Sequence, residues 1–492
     1  TVYLKSDGSV WATGRNNMGQ LGDGTTTDRN STVQVPDSSG NPLTSVTAIS
    51  AGAAYTVYGK SDGTVWATGS NNKGQLGDGT VTDRNSTVQV LDSSGNPLNS
   101  VTAISAGVNH AVYLKVDGSA WAVGGNLYNK LGDGSILRSS KPVHVMDAAG
   151  NPLTEVEAIS TDGGHSVFLK GNGTVMAMGA NESGQLGDGS TTRTSNPVQV
   201  LQGVHPITDI TAISAGGYHS VFLKSDGTVW ATGKNSDGQL GDGSTTDRNS
   251  TVQVVDSTGN PLTGVAAMDA SFSHTVYLKA DGTVWATGKN NNGQLGDGTT
   301  TDRNGSVQVV DALGNPLTGI TAISAGYYHT VFLKTDGSVW ATGRNNYGQL
   351  GDGTNATRSN PVQVTHSGGS PLTGVTGVVA GGQHTVYLKT DGTVWATGSN
   401  NYGQLGYGST LSQSNPAQVV DAGGNPLNGV TAISAGVGHS VFLKSDATVW
   451  ATGKNGDGQL GDGSNTDQIN PVQVTDPGGN PLSDVACIAA GS

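Results

Sequence analysis

The chain has 492 residues, of which 77 are glycine, 12% are charged and one, Cys487, is cysteine. Its formal net charge of −13 argues against nucleic acid as the main partner, because phosphates require clustered Lys and Arg. A single cysteine excludes an internal disulfide framework and a multi-cysteine zinc site. No apolar run reaches the roughly eighteen residues of a membrane span, so we expect no membrane insertion.

Cys487 stands where other copies of a repeated segment have Ala48 and Ala432, and we expect it to be small and buried. The chain lacks an initiator Met and opens inside a repeat, as expected of a processed or excised piece. Its location is left open, although an extracellular or bacterial cell-surface setting is favoured over the alternatives.

Tryptophan recurs along the whole chain, and Met176 takes one of its places. The spacing is 55 residues at every step but one of 54, which indicates a solenoid, propeller or array. The tryptophans are Trp11, Trp66, Trp121, Trp230, Trp285, Trp340, Trp395 and Trp450. We predict one domain, 1–492, made of the units 1–55, 56–110, 111–165, 166–219, 220–274, 275–329, 330–384, 385–439 and 440–492.

Each unit predicts four short strands and no helix. The segments "TVYLK" and "TVWATG" are joined by "SDG", a tight-hairpin signal. A strand such as "STVQVVD" follows the glycine-rich loop, and "VTAISAG" follows "DSSGNPLTG". Consecutive apolar positions indicate that both faces of these strands are covered, as they are between the blades of a β-propeller.

The chain starts on the second strand of a blade, "TVYLK", and finishes on a first strand, "VACIAAGS". Together these half-blades complete one shared blade and close the ring. A seven-bladed ring would leave two units and both half-blades with exposed edges. Although nine blades exceed the usual four to eight, we predict an all-β, single closed nine-bladed propeller of four-stranded blades.

The segment "AGYYHTVFLKTDGSVWATGRNNYGQLGDG" at 325–353 resembles the repeat of the regulator of chromosome condensation family. The shared features are a Gly-x-x-His-Thr turn, an Asp-Gly hairpin, a Trp-containing strand and an Asn-x-x-Gly-Gln-Leu-Gly loop. Because nine copies cover the chain, the resemblance implies a β-propeller. It implies much less about function, which resides in sites built onto a fold.

Two activities within that family do not carry over. Its light-sensing member has tryptophans in a Gly-Trp-Arg-His-Thr motif, whereas the tryptophans here lie within "VWATG" strands, where blade packing is the expected role. The resemblance also suggests guanine-nucleotide exchange. In the family's chromosomal member, that activity is carried by an inserted β-hairpin wedge and by basic contacts with chromatin. Units of near-constant length leave no room for a wedge, and the net charge opposes chromatin binding.

The glycine-rich loops do not predict a phosphate site, because no helix N-terminus stands behind them. Gly282 is expected to take a positive φ in its hairpin, and Ala447 occupies the same place in the last unit at a cost of about 1 kcal/mol. The "GDG" aspartates are expected to stabilise turns, a weak cation site being the alternative. They are Asp23, Asp78, Asp133, Asp188, Asp242, Asp297, Asp352 and Asp462, with Tyr407 interrupting the series.

A histidine precedes the second strand of most units, and Tyr55 replaces the first one. The series comprises His110, His165, His219, His274, His329, His384 and His439. Without a carboxylate or Cys at ligand spacing, we expect structural turn histidines bonded to backbone, no metal and no cofactor.

Alternate turns of an up-and-down blade share one face of the disc. The "AGxxH" turns and "NNxGQLGDG" loops therefore share a face, and their x positions vary most between copies. Aromatic side chains at these positions are suited to binding. The alternative is sequence drift, in which tyrosines that tolerate water are scattered over the face without a function. The predicted binding residues are Tyr218, Phe272, Tyr327, Tyr328, Tyr347, Gln383, Tyr402 and Tyr407.

Two further groups are given structural interpretations. Units three and four contain Glu155, Glu157, Glu182, Tyr128 and Lys130, which we attribute to divergence in preference to a partner site. The opposite face carries one lysine per hairpin, expected to form exposed, weak ion pairs. These are Lys5, Lys60, Lys115, Lys170, Lys224, Lys279, Lys334, Lys389 and Lys444.

The sequence therefore favours a non-enzymatic propeller that binds a protein or a surface ligand. The alternative is a structural or multivalent surface scaffold of recently amplified repeats. Catalysis requires an asymmetric set of acid, base or nucleophile in one pocket, and repetition supplies rings instead, so we predict no catalytic residue. We expect a monomer, with some risk of strand exchange between copies.

Overall fold

The computed structural model describes residues 1–161, 164–270 and 273–490. Within these ranges the regular structure is all β, without a helix, and forms nine sheets. Each sheet is one antiparallel blade of four strands; the fifth blade gains a small hairpin, Leu201–Gln202 with His205–Pro206, beside its outer strand. The predicted nine-bladed propeller is confirmed.

We number strands within a blade from the axis outward, and blades from the one that contains Val2. The first strands are Val485–Ala489, Val46–Ala51, Val101–Ala106, Val156–Thr161, Ile210–Ala215, Val265–Ala270, Ile320–Ala325, Val375–Ala380 and Val430–Ala435. The second strands are Val2–Lys5, Tyr55–Lys60, His110–Lys115, His165–Lys170, His219–Lys224, His274–Lys279, His329–Lys334, His384–Lys389 and His439–Lys444.

The third and fourth strands carry the tryptophans and the outer edge of each blade. The third strands are Val10–Gly14, Val65–Gly69, Ala120–Gly124, Val175–Gly179, Val229–Gly233, Val284–Gly288, Val339–Gly343, Val394–Gly398 and Val449–Gly453. The fourth strands are Arg29–Gln34, Arg84–Gln89, Ser139–His144, Thr194–Gln199, Arg248–Gln253, Arg303–Gln308, Arg358–Gln363, Gln413–Gln418 and Gln468–Gln473.

The two ends of the chain complete the first blade together. Val485–Ala489 pairs antiparallel with Val2–Lys5, and Tyr3 lies opposite Ile488. Tyr3 also packs in one buried cluster with Val441 and Leu460 of the ninth blade. The predicted shared blade is therefore confirmed, and it joins the first and ninth blades across the closure of the ring.

The hydrophobic core is divided among the interfaces between neighbouring blades. Between the seventh and eighth blades, Val331 and Leu350 meet the fully buried Tyr387, with Trp395 packed against them. Burial on both sides explains why second strands are apolar at consecutive positions. Such burial is the main source of stability.

The expectation that Cys487 is buried is wrong, because the structure leaves it exposed. It lies on an innermost strand, which borders the space around the axis. Ala48 and Ala432, at the same place in other blades, are themselves only half-buried, so this position does not require a core residue.

Backbone hydrogen bonds place the connections on two faces. Ser70 N donates to Ala54 O over 2.9 Å, joining a glycine-rich loop to an "AGxxH" turn. Val46 N donates to Gly8 O over 2.9 Å, joining a "DSSGNPLTS" turn to an "SDG" hairpin. We call the first side the loop face and the second the hairpin face.

Candidate functional site

A cavity of about 1000 Å³ lies on the propeller axis at the loop face. Its wall is built from the ends of innermost strands, including Ala215, Ala325 and Ala380, and from the glycines that follow them. Tyr218 and Tyr327 stand at its edge. A concave space with small apolar walls and a few larger side chains at its mouth is the usual form of a binding site.

The turns around the cavity owe their shape to glycine. In the seventh blade a Cβ on Gly326 would lie 2.6 Å from Cε1 of His329, closer than any real contact. Gly326 N also donates to His329 O over 2.9 Å, closing the turn. The "AGxxH" motif therefore pairs a glycine with the ring that occupies its side-chain space, leaving the two x residues to face outward.

The recurring histidines are buried, and five of them lie within hydrogen-bond distance of a hydroxyl of the next blade. His165 Nε2 lies 2.9 Å from Ser220 Oγ of the next blade, and Ser220 Oγ donates to Gln185 O over 2.9 Å. Because the hydroxyl hydrogen is used there, the histidine must donate through Nε2. The partner of His165 is therefore a hydroxyl rather than the backbone group that we expected, because the ring points across the blade interface.

Tyr55 replaces the histidine of the second blade and spans the same interface. Its hydroxyl donates to Gly107 O over 3.0 Å and also contacts His110 O. Burial lowers the pKa of His165, His274 and His329 to about 4. These imidazoles are therefore neutral at pH 7 and act as packing and hydrogen-bonding groups.

Four of the predicted aromatic residues are exposed on the loop face. Tyr218 and Tyr327 are 54% and 53% exposed. Tyr328 in the seventh blade and Tyr402 in the eighth are exposed as well. The rings of Tyr327 and Tyr328 lie edge to face with centroids 6.5 Å apart. These residues are accessible to a partner.

The other predicted residues are placed differently. Tyr347 and Gln383 are half-buried, and Phe272 lies outside the described residues. Tyr407 packs against the core cluster of Val386 and donates its hydroxyl to Leu411 O over 2.5 Å. Its hydroxyl accepts from Gln413 Nε2 at 2.7 Å, so Tyr407 is held inside its own loop.

Residues of the third and fourth blades also reach the axial cavity, among them Tyr128 and Glu182, which we attributed to divergence. Tyr128, Glu182 and Arg193 line it together with Tyr218 and Tyr327. Arg193 forms an ion pair with Glu182 and lies 4.5 Å from the ring centre of Tyr128 in the preceding blade. The sequence contained one signal of this group. Arg193 occupies the position that Asp28 has in the first unit, so the charge at that position is reversed.

Single polar residues of the innermost strands and of the loops differ from blade to blade. Ser324 Oγ accepts from Ala380 N at 3.2 Å, closing the innermost edge between two blades. Asp269 takes that serine's place one blade earlier and accepts from Ala325 N at 2.9 Å, and its burial raises its pKa. In the third blade, burial lowers the pKa of Lys130 to about 8. Lys130 replaces the glutamine of the repeated loop.

The "GDG" aspartates organise their loops, as in the seventh blade. Asp352 Oδ1 accepts from Asn345 Nδ2 at 3.0 Å and from Thr354 N at 3.0 Å. Asp352 Oδ2 accepts from Arg358 Nε at 2.7 Å. The carboxylate oxygens are engaged by donors of their own loop, which is the turn-stabilising role expected of Asp.

The hairpin-face lysines differ from the exposed pairs that we expected. Lys224 Nζ lies 5.3 Å from the ring centre of Trp230, and Lys115 Nζ lies 5.4 Å from that of Trp121. The side chain of Lys5 is only 15% exposed beside Asp484. These long side chains cover the tryptophans while their charged ends stay near water, so they support packing at the blade edges.

Two kinds of feature are absent from residues 1–161, 164–270 and 273–490. No group of three or more His, Cys, Asp or Glu is arranged to hold a metal ion. No helix in that part of the chain is long and apolar enough to cross a membrane.

Known proteins resemble this chain along most of its length. The ultraviolet-B receptor UVR8 of Arabidopsis thaliana is 32% identical over 346 residues, or 69% of this chain and 74% of the receptor. The E3 ubiquitin-protein ligase HERC2 of Homo sapiens is 31% identical over 344 residues, which are 69% of this chain but 7% of the ligase.

Solved structures are similar in outline. Human WBSCR16 gives a TM-score of 0.49 at 22% identity and covers 75% of this chain and 95% of its own. Prp20p of Saccharomyces cerevisiae gives 0.48 at 18% identity, covering 78% and 92%. The sequence model of the RCC1-like domain matches residues 1–253 and 201–492. The chain therefore belongs to the family of RCC1-like domains.

Proposed function

We propose that this protein is a non-enzymatic β-propeller that binds a protein or ligand through its loop face, at the mouth of the axial cavity. One observation carries the proposal: half-exposed Tyr218 and Tyr327 stand at the edge of a cavity walled by glycine and alanine. Tyrosine is favoured at such sites because it buries a large area while fixing few torsions.

The distribution of exposed apolar side chains supports the choice of face. Those of the loop face are Met18, Val81, Val108, Leu127, Ile136, Leu137, Tyr218, Tyr327, Tyr328, Tyr402, Leu411 and Val437. Those of the hairpin face are Val116, Val204 and Leu313, and Ile469 lies on an outer strand. Exposed apolar side chains that gather on one side of a protein are typical of an interaction surface, and most of these described residues lie on the loop face.

The assignment as a non-enzyme rests on the state of the groups that could have been catalytic. His165 is buried and bonded to Ser220 of the next blade, and Asp352 is bonded within its loop. These groups hold the scaffold together. General acid–base chemistry requires a titratable group within reach of a substrate, and His165 is fully buried.

The test is a capture experiment from the source cells and their medium, with the bound material identified by mass spectrometry. The intact chain is compared with Tyr218→Ala/Tyr327→Ala and with a control on the hairpin face, Val116→Ala/Leu313→Ala. Light scattering first establishes that all three are folded monomers. The proposal predicts a partner retained by the control and lost by the tyrosine variant. Equal capture by all three, or none, would favour the scaffold alternative.

A further inference from the structure

Three cations on the loop face lie against exposed tyrosines in blades five to nine. Lys234 Nζ is 5.8 Å from the ring centre of Tyr218, and the guanidinium of Arg344 is 5.4 Å from that of Tyr328. Lys454 Nζ of the ninth blade is 6.0 Å from the ring centre of Tyr402 in the eighth. We call these six residues the cation–tyrosine arc.

The backbone fixes where these cations emerge. Each follows the "WATG" end of a third strand, and its N–H donates to the carbonyl oxygen of an "AGxxH" turn. Lys234 N donates to Tyr218 O over 2.9 Å, and Arg344 N donates to Tyr328 O over 2.9 Å. Across the nine blades this position holds Arg15, Ser70, Gly125, Ala180, Lys234, Lys289, Arg344, Ser399 and Lys454. It is basic in five blades and acidic in none, in a chain whose net charge is −13.

The charges of the arc are available to a partner. Among the described residues, Lys234, Arg344 and Lys454 form no ion pair. Nearby acids include Asp237, which lies 4.0 Å from Lys289, and Glu182, which is paired with Arg193. A cation over an aromatic ring retains its attraction for an anion on its open side, and the ring supplies apolar area beside it.

We propose that the cation–tyrosine arc receives an acidic peptide segment of a partner. Its carboxylates face Lys234, Arg344 and Lys454, while its apolar side chains lie on the tyrosine rings at the cavity mouth. This inference rests on the proposed function and names the partner class of that same face. A peptide is favoured over nucleic acid because the arc offers only three cations, Lys234, Arg344 and Lys454, whereas a nucleic-acid backbone carries one negative charge on every nucleotide.

The experiment measures fluorescence anisotropy of labelled peptides with the full chain. The probes are a dodecapeptide of repeated Glu-Asp-Leu, its Lys-Arg-Leu and Gln-Asn-Leu counterparts, and a dodecathymidylate. The test variant is Lys234→Gln/Arg344→Gln/Lys454→Gln. The control is Lys224→Gln/Lys334→Gln/Lys444→Gln, which removes the same charge from the same three blades on the hairpin face.

The arc predicts that the acidic peptide binds, and that raising the salt from 50 to 300 mM weakens binding. The test variant should bind about tenfold more weakly, and the control should match the intact chain. Absence of acidic-peptide binding, equal loss in both variants, or tighter binding of the oligonucleotide would each overturn the inference. If the inference fails while Tyr218→Ala/Tyr327→Ala still loses its captured partner, the proposed function stands without it.

Discussion

His384 Nε2 lies 3.1 Å from Ser440 Oγ across a blade interface, and Ser440 Oγ donates onward to Gln404 O over 2.9 Å. His329 and Thr385 repeat the arrangement one blade earlier, at 3.2 Å, with Gln349 O accepting at 2.9 Å. Each such pair lies between buried cores and fixes how one blade meets the next. The loop face is thereby built on a rigid support.

Removing one hydroxyl of this series should destabilise the ring. Ser440→Ala leaves the N–H of His384 and the carbonyl of Gln404 buried without partners, at a cost of about 1–3 kcal/mol. Urea denaturation of Ser440→Ala and of the exposed control Ser236→Ala measures the effect. Equal midpoints for the two variants would show that the hydrogen bond contributes nothing to stability.

Stability should fall as the pH drops from about 6.5 towards 4. Burial holds the pKa of His165, His274, His329 and His439 at about 4, below the ordinary value of about 6.5 in the unfolded chain. The unfolded chain therefore binds more protons in this window, and the stabilisation present above pH 6.5 is lost on acidification. Hydrogen-bonded aspartates with lowered pKa, such as Asp336, add their loss only near pH 4 and below.

The measurement is the urea midpoint at half-unit pH steps from 7.5 to 4. We expect a plateau above pH 6.5 and a steep fall below it, corresponding to about one proton taken up per buried histidine on unfolding. A midpoint that is flat between pH 7 and 5 would contradict the neutral, buried state of these rings.

Ala447 has a φ of 61°, where the other blades have glycine; Gly392, for example, has a φ of 74°. The predicted strain is thus present, and Ala447→Gly should stabilise the protein by about 1 kcal/mol. The reciprocal change Gly392→Ala should destabilise it by more, because the new Cβ would lie 3.0 Å from Gly429 N. Both are measured as changes in the free energy of unfolding, and a destabilised Ala447→Gly would refute the strain argument.

Tyr402 and Tyr407 are five residues apart in sequence but should differ in function. Tyr407→Phe removes the hydroxyl that joins Leu411 O and Gln413, so we expect a loss of about 1 kcal/mol of stability with partner binding unchanged. Tyr402→Ala should leave stability within about 0.5 kcal/mol and weaken binding. Denaturation and binding assays on both variants test this difference. A loss of binding in Tyr407→Phe together with a loss of stability in Tyr402→Ala would contradict it.

The fold could be predicted from the sequence because several independent features recur with the same period of about 55 residues. The spacing from Trp285 to Trp340, the Asp-Gly hairpins and the complementary half-blades all required the same ring. Tyr3 beside Ile488 is the contact that the two half-blades predicted. Local chemistry repeated many times leaves few alternatives.

The site was harder to predict because its contacts run between blades. His384 and Ser440 are 56 residues apart, so inspection of one unit could not pair them. Tyr407 belongs to the loop face, yet its ring turns inward to the cluster of Val386. Arg193 and Tyr128 meet across a blade boundary, and only the closed ring brings both to the cavity.

The most direct test of binding at the loop face is hydrogen exchange of the full chain with and without its captured partner. Binding at the loop face predicts slowed exchange in the turns around Tyr218 and Tyr327 and in the loop of Tyr402, with no change in the hairpins at Lys224 and Lys334. Protection confined to the hairpin face, or spread equally over all nine blades, would contradict it.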